Sequence, residues 1–74
     1  MAKKQPASAV YRVTEIIGTS TTSWEDAAKN AVEIAARTLR DLRVAEVKEL
    51  DLKVEDGKVV AYRARVSLSF KYEE

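Results

Sequence analysis

The sequence predicts an α+β fold in which one helix packs against an antiparallel sheet, with the elements in the order strand, helix, strand, strand. Three observations support this prediction. The segment VYRVTEII is rich in β-branched and aromatic residues, the alanine-rich segment after it contains neither Gly nor Pro, and polar and apolar residues alternate on both sides of Gly57. A helix and a sheet with these patterns bury their apolar faces against each other.

The length of the chain limits how much surface it can bury. A chain of 74 residues forms one domain, and a domain of this size buries about 60% of the surface that its unfolded chain exposes. Residues 1–8 contain Pro6, small residues and two lysines and are predicted to be a disordered tail, which leaves residues 9–74 as the single domain. The chain has no Cys and no His, so disulfides and a Cys/His zinc site are excluded. Self-association remains as a source of stability.

The composition excludes several classes of protein. A hydrophobic fraction of 46% and a charged fraction of 34% are typical of a folded, soluble chain. No apolar run approaches the roughly 18 to 20 residues that cross a bilayer, and MAKKQPASA lacks the apolar core of a signal peptide. We therefore expect a cytoplasmic protein without a membrane partner. A net charge of +1 argues against a general nucleic-acid binder.

The first strand is predicted to run from Val10 to Ile17 and to end at Gly18 and the run TSTTS. Ser23 is the predicted helix cap, and Thr22 with Glu25 is an alternative capping box one residue earlier. The helix then extends from Trp24 towards Leu42. Its spacing predicts one apolar face, formed by Ala28, Val32, Ala35, Leu39 and Leu42.

The last thirty or so residues are predicted to form a hairpin with its turn at Gly57. Apolar residues in the second strand share one face, and polar residues share the other. The apolar face consists of Val60, Tyr62, Ala64, Val66, Leu68, Phe70 and Tyr72. The polar face consists of Arg63, Arg65, Ser67, Ser69 and Lys71. Such a strand is buried on one side only.

The turn of this hairpin must keep apolar residues opposite apolar residues. We predict a three-residue loop, Glu55-Asp56-Gly57, because it pairs Leu52 with Val60 and Leu50 with Tyr62. A two-residue loop would shift the register by one position and place apolar residues opposite polar ones. The sequence therefore disfavours the shorter turn.

The first strand of the hairpin contains an irregularity. Leu50 and Leu52 have even numbers, whereas the apolar residues Ala45 and Val47 upstream have odd numbers. This switch predicts a β-bulge or bend near Lys48. It also indicates that the first half of the strand faces another neighbour, such as another subunit. One helix cannot cover a sheet whose last strand spans fourteen residues, so the remainder must meet water or another copy.

An ordered set of segments resembles the dodecin family over nearly the whole folded length, from about Val10 to Glu73. The segments are VYRVTEIIGTS, SWEDAAKNAVEIAARTL, VAEVKELDLKVEDGKV and AYRARVSLSF. The resemblance implies a β-α-β-β subunit whose three-stranded antiparallel sheet wraps the helix, assembled as a hollow homododecamer. It also implies a non-catalytic storage role, because well-studied dodecins bind flavins without catalysing a reaction.

The resemblance aligns two residues with the family's flavin site. In flavin-binding dodecins a tryptophan before AEV stacks on the isoalloxazine ring, and a glutamine in the last strand binds its pyrimidine edge. Val44 and Arg63 stand at these positions, with Glu46 and Arg65 beside them. Valine removes a stacking contact worth about 1 to 3 kcal/mol, and arginine donates hydrogen bonds but cannot accept them. Weak or absent binding of riboflavin or FMN is therefore expected.

The same pattern is similar to a dodecin subgroup of which a member has been described as calcium-binding. Carboxylate oxygens are ligands that calcium prefers, and Glu46, Glu49 and Asp51 are the candidate ligands, although their spacing is not that of an EF-hand. The alternative is a solvated or interface surface, since lysines alternate with these acids.

Simpler structural roles compete with the functional ones at several positions. Val44 is an ordinary sheet residue, and Arg63 and Arg65 are suited to salt bridges with Glu46 or Glu49 as well as to binding an anion. Trp24 is interpreted as an anchor at the helix start or a subunit contact.

Three classes of function follow from these features. The first is a binding and storage shell for a flavin or a cation. The second is a purely structural self-assembling module with no specific ligand. The third, an enzyme, is disfavoured, because without His or Cys no two remaining side chains form a recognisable catalytic pair.

Overall fold

The computed structural model describes residues 10–71, which form one helix and three strands in the predicted order. The elements are strand β1 (Tyr11–Ser20), helix α1 (Trp24–Ala35), strand β2 (Leu42–Glu55) and strand β3 (Lys58–Lys71). Strand β3 is central and pairs antiparallel with both neighbours, so the sheet order is β1-β3-β2. The predicted α+β class and β-α-β-β layout are confirmed. No helix in the described part of the chain is long and apolar enough to cross a bilayer.

Two expectations concern residues that the structure does not describe. The predicted N-terminal tail, residues 1–8, lies outside the described residues, and so does Tyr72 at the end of the predicted apolar face. That face is confirmed in the middle of β3, where Ala64, Val66 and Leu68 are buried, but Val60 at its start is 39% exposed. Ser67, which was assigned to the polar face, is buried as well.

The N-terminus of α1 is capped as predicted by Ser23, whose hydroxyl accepts a hydrogen bond from the Asp26 backbone N–H at 3.0 Å. A second hydroxyl supports this turn. Ser20 Oγ donates to the Asp26 carboxylate at 2.7 Å and accepts from the Thr22 backbone N–H at 2.9 Å. The alternative cap at Thr22 is therefore not the one used.

The helix ends earlier than predicted, at Ala35 instead of near Leu42. The backbone then tightens, and Thr38 N–H donates to the Ala35 carbonyl at 3.1 Å. Asp41 adopts a positive φ of 56° and reverses the chain into β2. No glycine or proline marks this end in the sequence, because an aspartate takes the left-handed conformation. Leu39 and Leu42 still pack against the core, from the connection and from β2.

Strand β1 continues past Gly18 to Ser20, whereas the sequence predicts that Gly18 ends the strand. Gly18 pairs with Ala64 inside the sheet, and α1 lies directly on it. A Cβ atom at Gly18 would lie 2.1 Å from the Ala27 carbonyl oxygen and 2.8 Å from the Ala31 Cβ. The glycine is thus a point of close approach between helix and sheet. This contact explains why Ala27 and Ala31 are the buried residues of α1.

The turn of the hairpin differs from the prediction. Glu55 pairs with Lys58, and the two residues between them, Asp56 and Gly57, have positive φ values of 52° and 74°, as a type I′ turn requires. The three-residue loop was therefore wrong. A register shift between Lys53 and Val54 explains the error, because it absorbs one residue and keeps apolar residues opposite each other. The resulting pairs are Leu52 with Tyr62 and Leu50 with Ala64.

The predicted bulge near Lys48 is confirmed by a register shift between Val47 and Glu49. Its effect differs from the one expected. Ala45 and Val47 lie opposite Leu68 and Val66, which are core residues on the helix side of β3. The bulge therefore places both halves of β2 on one face and does not turn the first half to another side. A further shift between Leu42 and Val44 leaves Val44 on the opposite face.

The core is small because α1 covers only part of the sheet. Twelve helical residues span about 18 Å, whereas the fourteen residues of β3 span about 46 Å. The molecule measures 52 × 20 × 19 Å, and its radius of gyration of 15.1 Å exceeds the roughly 11 Å of a compact chain of this length. Every residue from 43 to 60 is exposed. One subunit thus leaves most of its hairpin uncovered.

We predict that Gly18→Ala destabilises the subunit by up to about 3 kcal/mol, because the added methyl group overlaps a backbone oxygen. Gly57→Ala is the matched control. The methyl group added at Gly57 meets no atom within 4 Å, but alanine disfavours the positive φ of this residue, so the free energy of unfolding falls by about 1 to 2 kcal/mol. Urea unfolding of both variants at one protein concentration tests this. Equal losses would contradict the close approach at Gly18.

Candidate ligand-binding site

The predicted site residues lie on the sheet face turned away from α1. Residues that pair across antiparallel strands point to the same side, and residues next to each other in one strand point to opposite sides. Arg63 and Arg65 alternate with the core residues of β3 and therefore lie on the helix-free face. Their partners in β2, Asp51 and Glu49, share that face.

Arg63 is held by Asp51 in a two-pronged ion pair. Its Nε donates to Asp51 Oδ1 at 2.7 Å, and its Nη2 donates to Oδ2 at 3.0 Å. The hydrogen bond from Arg63 lowers the pKa of Asp51 below its ordinary value, and the same bond raises the pKa of Arg63. Both side chains are more than one third exposed, so the pair fixes geometry more than it adds stability. Within the chain, Asp51 is the partner of Arg63, in place of the expected Glu46 or Glu49.

Arg65 links all three strands. Its Nε donates to Glu49 Oε1 at 3.3 Å across β2, and its Nη1 lies 3.8 Å from Glu15 Oε1 on β1. The predicted pairing with Glu49 is confirmed. Glu15 was missed, because the register of β1 against β3 was not predictable from the alternation in β1 alone. Arg63 and Arg65 thus have carboxylate partners within one subunit.

Trp24 acts as the anchor that the sequence predicted. Its indole N–H donates to the Asp51 backbone carbonyl at 2.9 Å, and its ring meets Tyr62 edge to face at 5.3 Å between centroids. Tyr62 lies on the helix side of β3, so Trp24 reaches across that side to β2. Asp51 therefore accepts a hydrogen bond from the Trp24 indole with its backbone carbonyl and from Arg63 with its carboxylate. The tryptophan cannot replace a stacking residue on the helix-free face.

Val44 lies on the same face as Arg63 but far from it. It is 55% exposed and lies opposite Ser69, whereas Arg63 is six positions earlier in β3. Six residues of strand span about 20 Å. The two positions that the resemblance aligns with the flavin site therefore do not meet within one chain. A pocket that contains both requires a second copy.

The three predicted cation ligands are spread along β2. Glu46 lies opposite Ser67 and forms no ion pair within residues 10–71, whereas Glu49 and Asp51 are paired with arginines. No group of three acidic side chains in the described part of the chain could hold a metal ion. A cation site that uses these residues would need further oxygen atoms from water, the backbone or another copy.

Comparison with known proteins identifies the family. The family model described as Dodecin matches residues 10–73. The chain belongs to the dodecin family. The expected resemblance is thereby confirmed over residues 10–73, and the strand order and single helix of this dodecin match those of solved dodecin structures.

Two relatives show which dodecins this chain is similar to. Calcium dodecin from Mycobacterium tuberculosis is 48% identical over 62 residues, which cover 84% of this chain and 87% of the relative. Its crystal structure, described as a calcium-chelating antigen with a novel calcium-binding site, has 49% identity and a TM-score of 0.76 and covers 86% of this chain and 91% of that one. The structure of dodecin from Streptomyces coelicolor has 39% identity and a TM-score of 0.84, and the match covers 93% of this chain and 99% of that one.

We predict that Arg63→Gln raises the pKa of Asp51 towards its ordinary value of 3.8, because the main cause of the depression is lost. Arg65→Gln removes only the weaker electrostatic attraction of Arg65 and should raise the pKa of Asp51 less. Since the folded pKa is depressed, the ion pair stabilises the fold above pH 3.8 and loses this effect as the pH falls through the folded pKa. Titration of the Asp51 carboxyl by NMR measures this pKa in the unchanged protein and in both variants. An unchanged titration in Arg63→Gln would disprove the assignment.

Proposed function

We propose that this dodecin is a non-catalytic binding and storage protein whose twelve copies form a hollow shell in the cytoplasm. The observation that carries the proposal is the uncovered hairpin. Within residues 10–71 only five hydrophobic residues are buried, and two of them, Val66 and Leu68, are large, whereas many large apolar side chains are exposed. A subunit with so little core gains stability by covering this surface with other copies. Dodecins are binding and storage proteins that form oligomers.

The residues present do not fit a flavin in the family's usual position. Val44 offers no aromatic face, which costs about 1 to 3 kcal/mol of stacking, or roughly a ten- to hundredfold loss of affinity. Arg63 offers only donors, and two of them are already engaged by Asp51. Trp24 lies on the other side of the sheet and cannot substitute. We therefore assign no flavin-storage role to this chain.

The ligand that we propose is a divalent cation, with calcium as the first candidate. The similarity to a relative named calcium dodecin supports this choice. Within the chain, Glu46 supports it too, since its carboxylate has no ion pair in the described residues. Glu46 would supply oxygen ligands together with oxygens from a second copy, and the cation would offset the repulsion between carboxylates that assembly brings together.

We predict that native mass spectrometry of gently purified protein gives a twelve-subunit mass and that added calcium increases this mass. Glu46→Gln should weaken calcium binding about tenfold or more, because a charged ligand is lost. Glu33→Gln is the control, since Glu33 is an exposed helix residue that we place outside the site.

The outcomes separate the proposals. A monomer or dimer would disprove the shell. A twelve-subunit mass that does not increase when calcium is added to millimolar concentration would favour the second candidate, a purely structural self-assembling module. The structure offers one observation for this candidate: Glu49 and Asp51, two of the three predicted ligands, are already neutralised by arginines. Unchanged binding in Glu46→Gln would show that calcium binds elsewhere.

The altered flavin position gives a separate prediction. Val44→Trp combined with Arg63→Gln restores the aromatic face and the amide, so riboflavin should bind and its fluorescence should be quenched, with about a tenfold or greater gain over the unchanged protein. Arg63→Gln alone is the control, because it restores the amide without the aromatic face and should gain much less affinity. No gain in the double variant would mean that the position aligned with the flavin site is wrong.

A further inference from the structure

Asp51 is held from both sides of the sheet. Its backbone carbonyl accepts a hydrogen bond from the Trp24 indole N–H at 2.9 Å, and its carboxylate accepts two hydrogen bonds from Arg63, at 2.7 and 3.0 Å. The indole reaches Asp51 from the helix side, because its ring also meets Tyr62 edge to face. Arg63 lies on the helix-free face. One residue of β2 therefore connects a contact on each face of the sheet.

The strand around Asp51 has little other support. Strand β2 is an edge of the sheet, so among the described residues only β3 pairs with it. Register shifts lie on both sides of Asp51, one between Val47 and Glu49 and another between Lys53 and Val54. A bulge disrupts the ladder of backbone hydrogen bonds at each of these points. Asp51 thus lies in a short regular segment between two irregular points of an edge strand.

The hydrogen bond from Trp24 supplies a restraint that this segment otherwise lacks. In the described part of the chain it is the one hydrogen bond between α1 and β2, and it joins residues 27 positions apart. Ser23 caps the helix directly before Trp24, so the indole projects from a fixed helix start. The paired donors of Arg63 require one orientation of the Asp51 carboxylate. A shift of the Asp51 segment would therefore break one or both of these bonds.

We propose that Trp24 is a positioning residue that keeps the Arg63–Asp51 pair closed on the opposite face of the sheet. The link acts in both directions, because two coupled contacts affect each other by the same free energy. A ligand that takes either Arg63 or the Asp51 carboxylate thereby loosens the contact at the helix start. Every residue of the link lies within one chain, so the inference stands or falls separately from the proposed shell and its ligand.

Trp24→Phe tests the link in one direction, because phenylalanine keeps a ring against Tyr62 and lacks the N–H donor. The pKa of Asp51, measured by NMR titration, should rise towards its ordinary value of 3.8, since the hydrogen bond from Arg63 is the main cause of its depression. Leu39→Ala is the control for general loosening, because Leu39 packs on the core from the connection after α1. An unchanged pKa in Trp24→Phe would overturn the proposal, and so would an equal rise in Leu39→Ala.

A second replacement keeps the proposal testable if Trp24→Phe does not fold. Trp24 is the one tryptophan of the chain, so growth on benzothienylalanine changes this position alone. The analogue has nearly the shape of tryptophan, but a sulfur atom replaces the indole N–H. The same rise in the pKa of Asp51 is expected, and an unchanged pKa would again overturn the proposal.

Arg63→Gln tests the link in the other direction. Loss of the ion pair should speed exchange of the Trp24 indole N–H with solvent by about twofold or more, as measured by NMR at neutral pH. Arg65→Gln is the matched control, because Arg65 pairs with Glu49 and Glu15 and should leave this exchange unchanged. Unchanged exchange in Arg63→Gln would disprove the link. Equal acceleration in both variants would also disprove it, because the indole would then report a general loosening of the sheet.

Discussion

The constraint on which this structure depends is a mismatch in length between one helix and one hairpin. Helix α1 has 12 residues, and each hairpin strand has 14, so the helix covers less than half of the sheet that it packs on. Secondary structure alone produces this mismatch, because a helix rises less than half as far per residue as a strand. The exposed apolar surface and the small core both follow from it.

Two contacts fix the helix on the covered part of the sheet. Gly18 lets the backbone of β1 approach Ala27 and Ala31 closely, and Trp24 bonds to Asp51 at the far edge of the sheet. The first contact determines how near the helix lies, and the second determines where its N-terminus ends against the hairpin. Together they leave the remainder of the hairpin outside the packed region.

The helix-free face has a different chemistry from the helix side. Its arginines are joined to carboxylates across all three strands, by Arg63 with Asp51 and by Arg65 with Glu49 and Glu15. These pairs occupy the groups that would otherwise recognise a polar ligand. Val44 lies about 20 Å from Arg63 along the sheet, so neither residue completes a pocket in one subunit.

The sequence by itself determined the α+β class, the order of elements, the Ser23 cap and the bulge near Lys48, because each depends on periodicity or on one local residue preference. The tertiary structure decided what depends on contacts between distant residues. The turn at Asp56 and Gly57 was mispredicted because a second bulge compensates for its length. Gly18 proved to be a contact point because a helix lies over it, and Arg63 selects Asp51 because the register places them opposite each other. Register and close packing arise only when the whole chain is folded, so no local pattern encodes them.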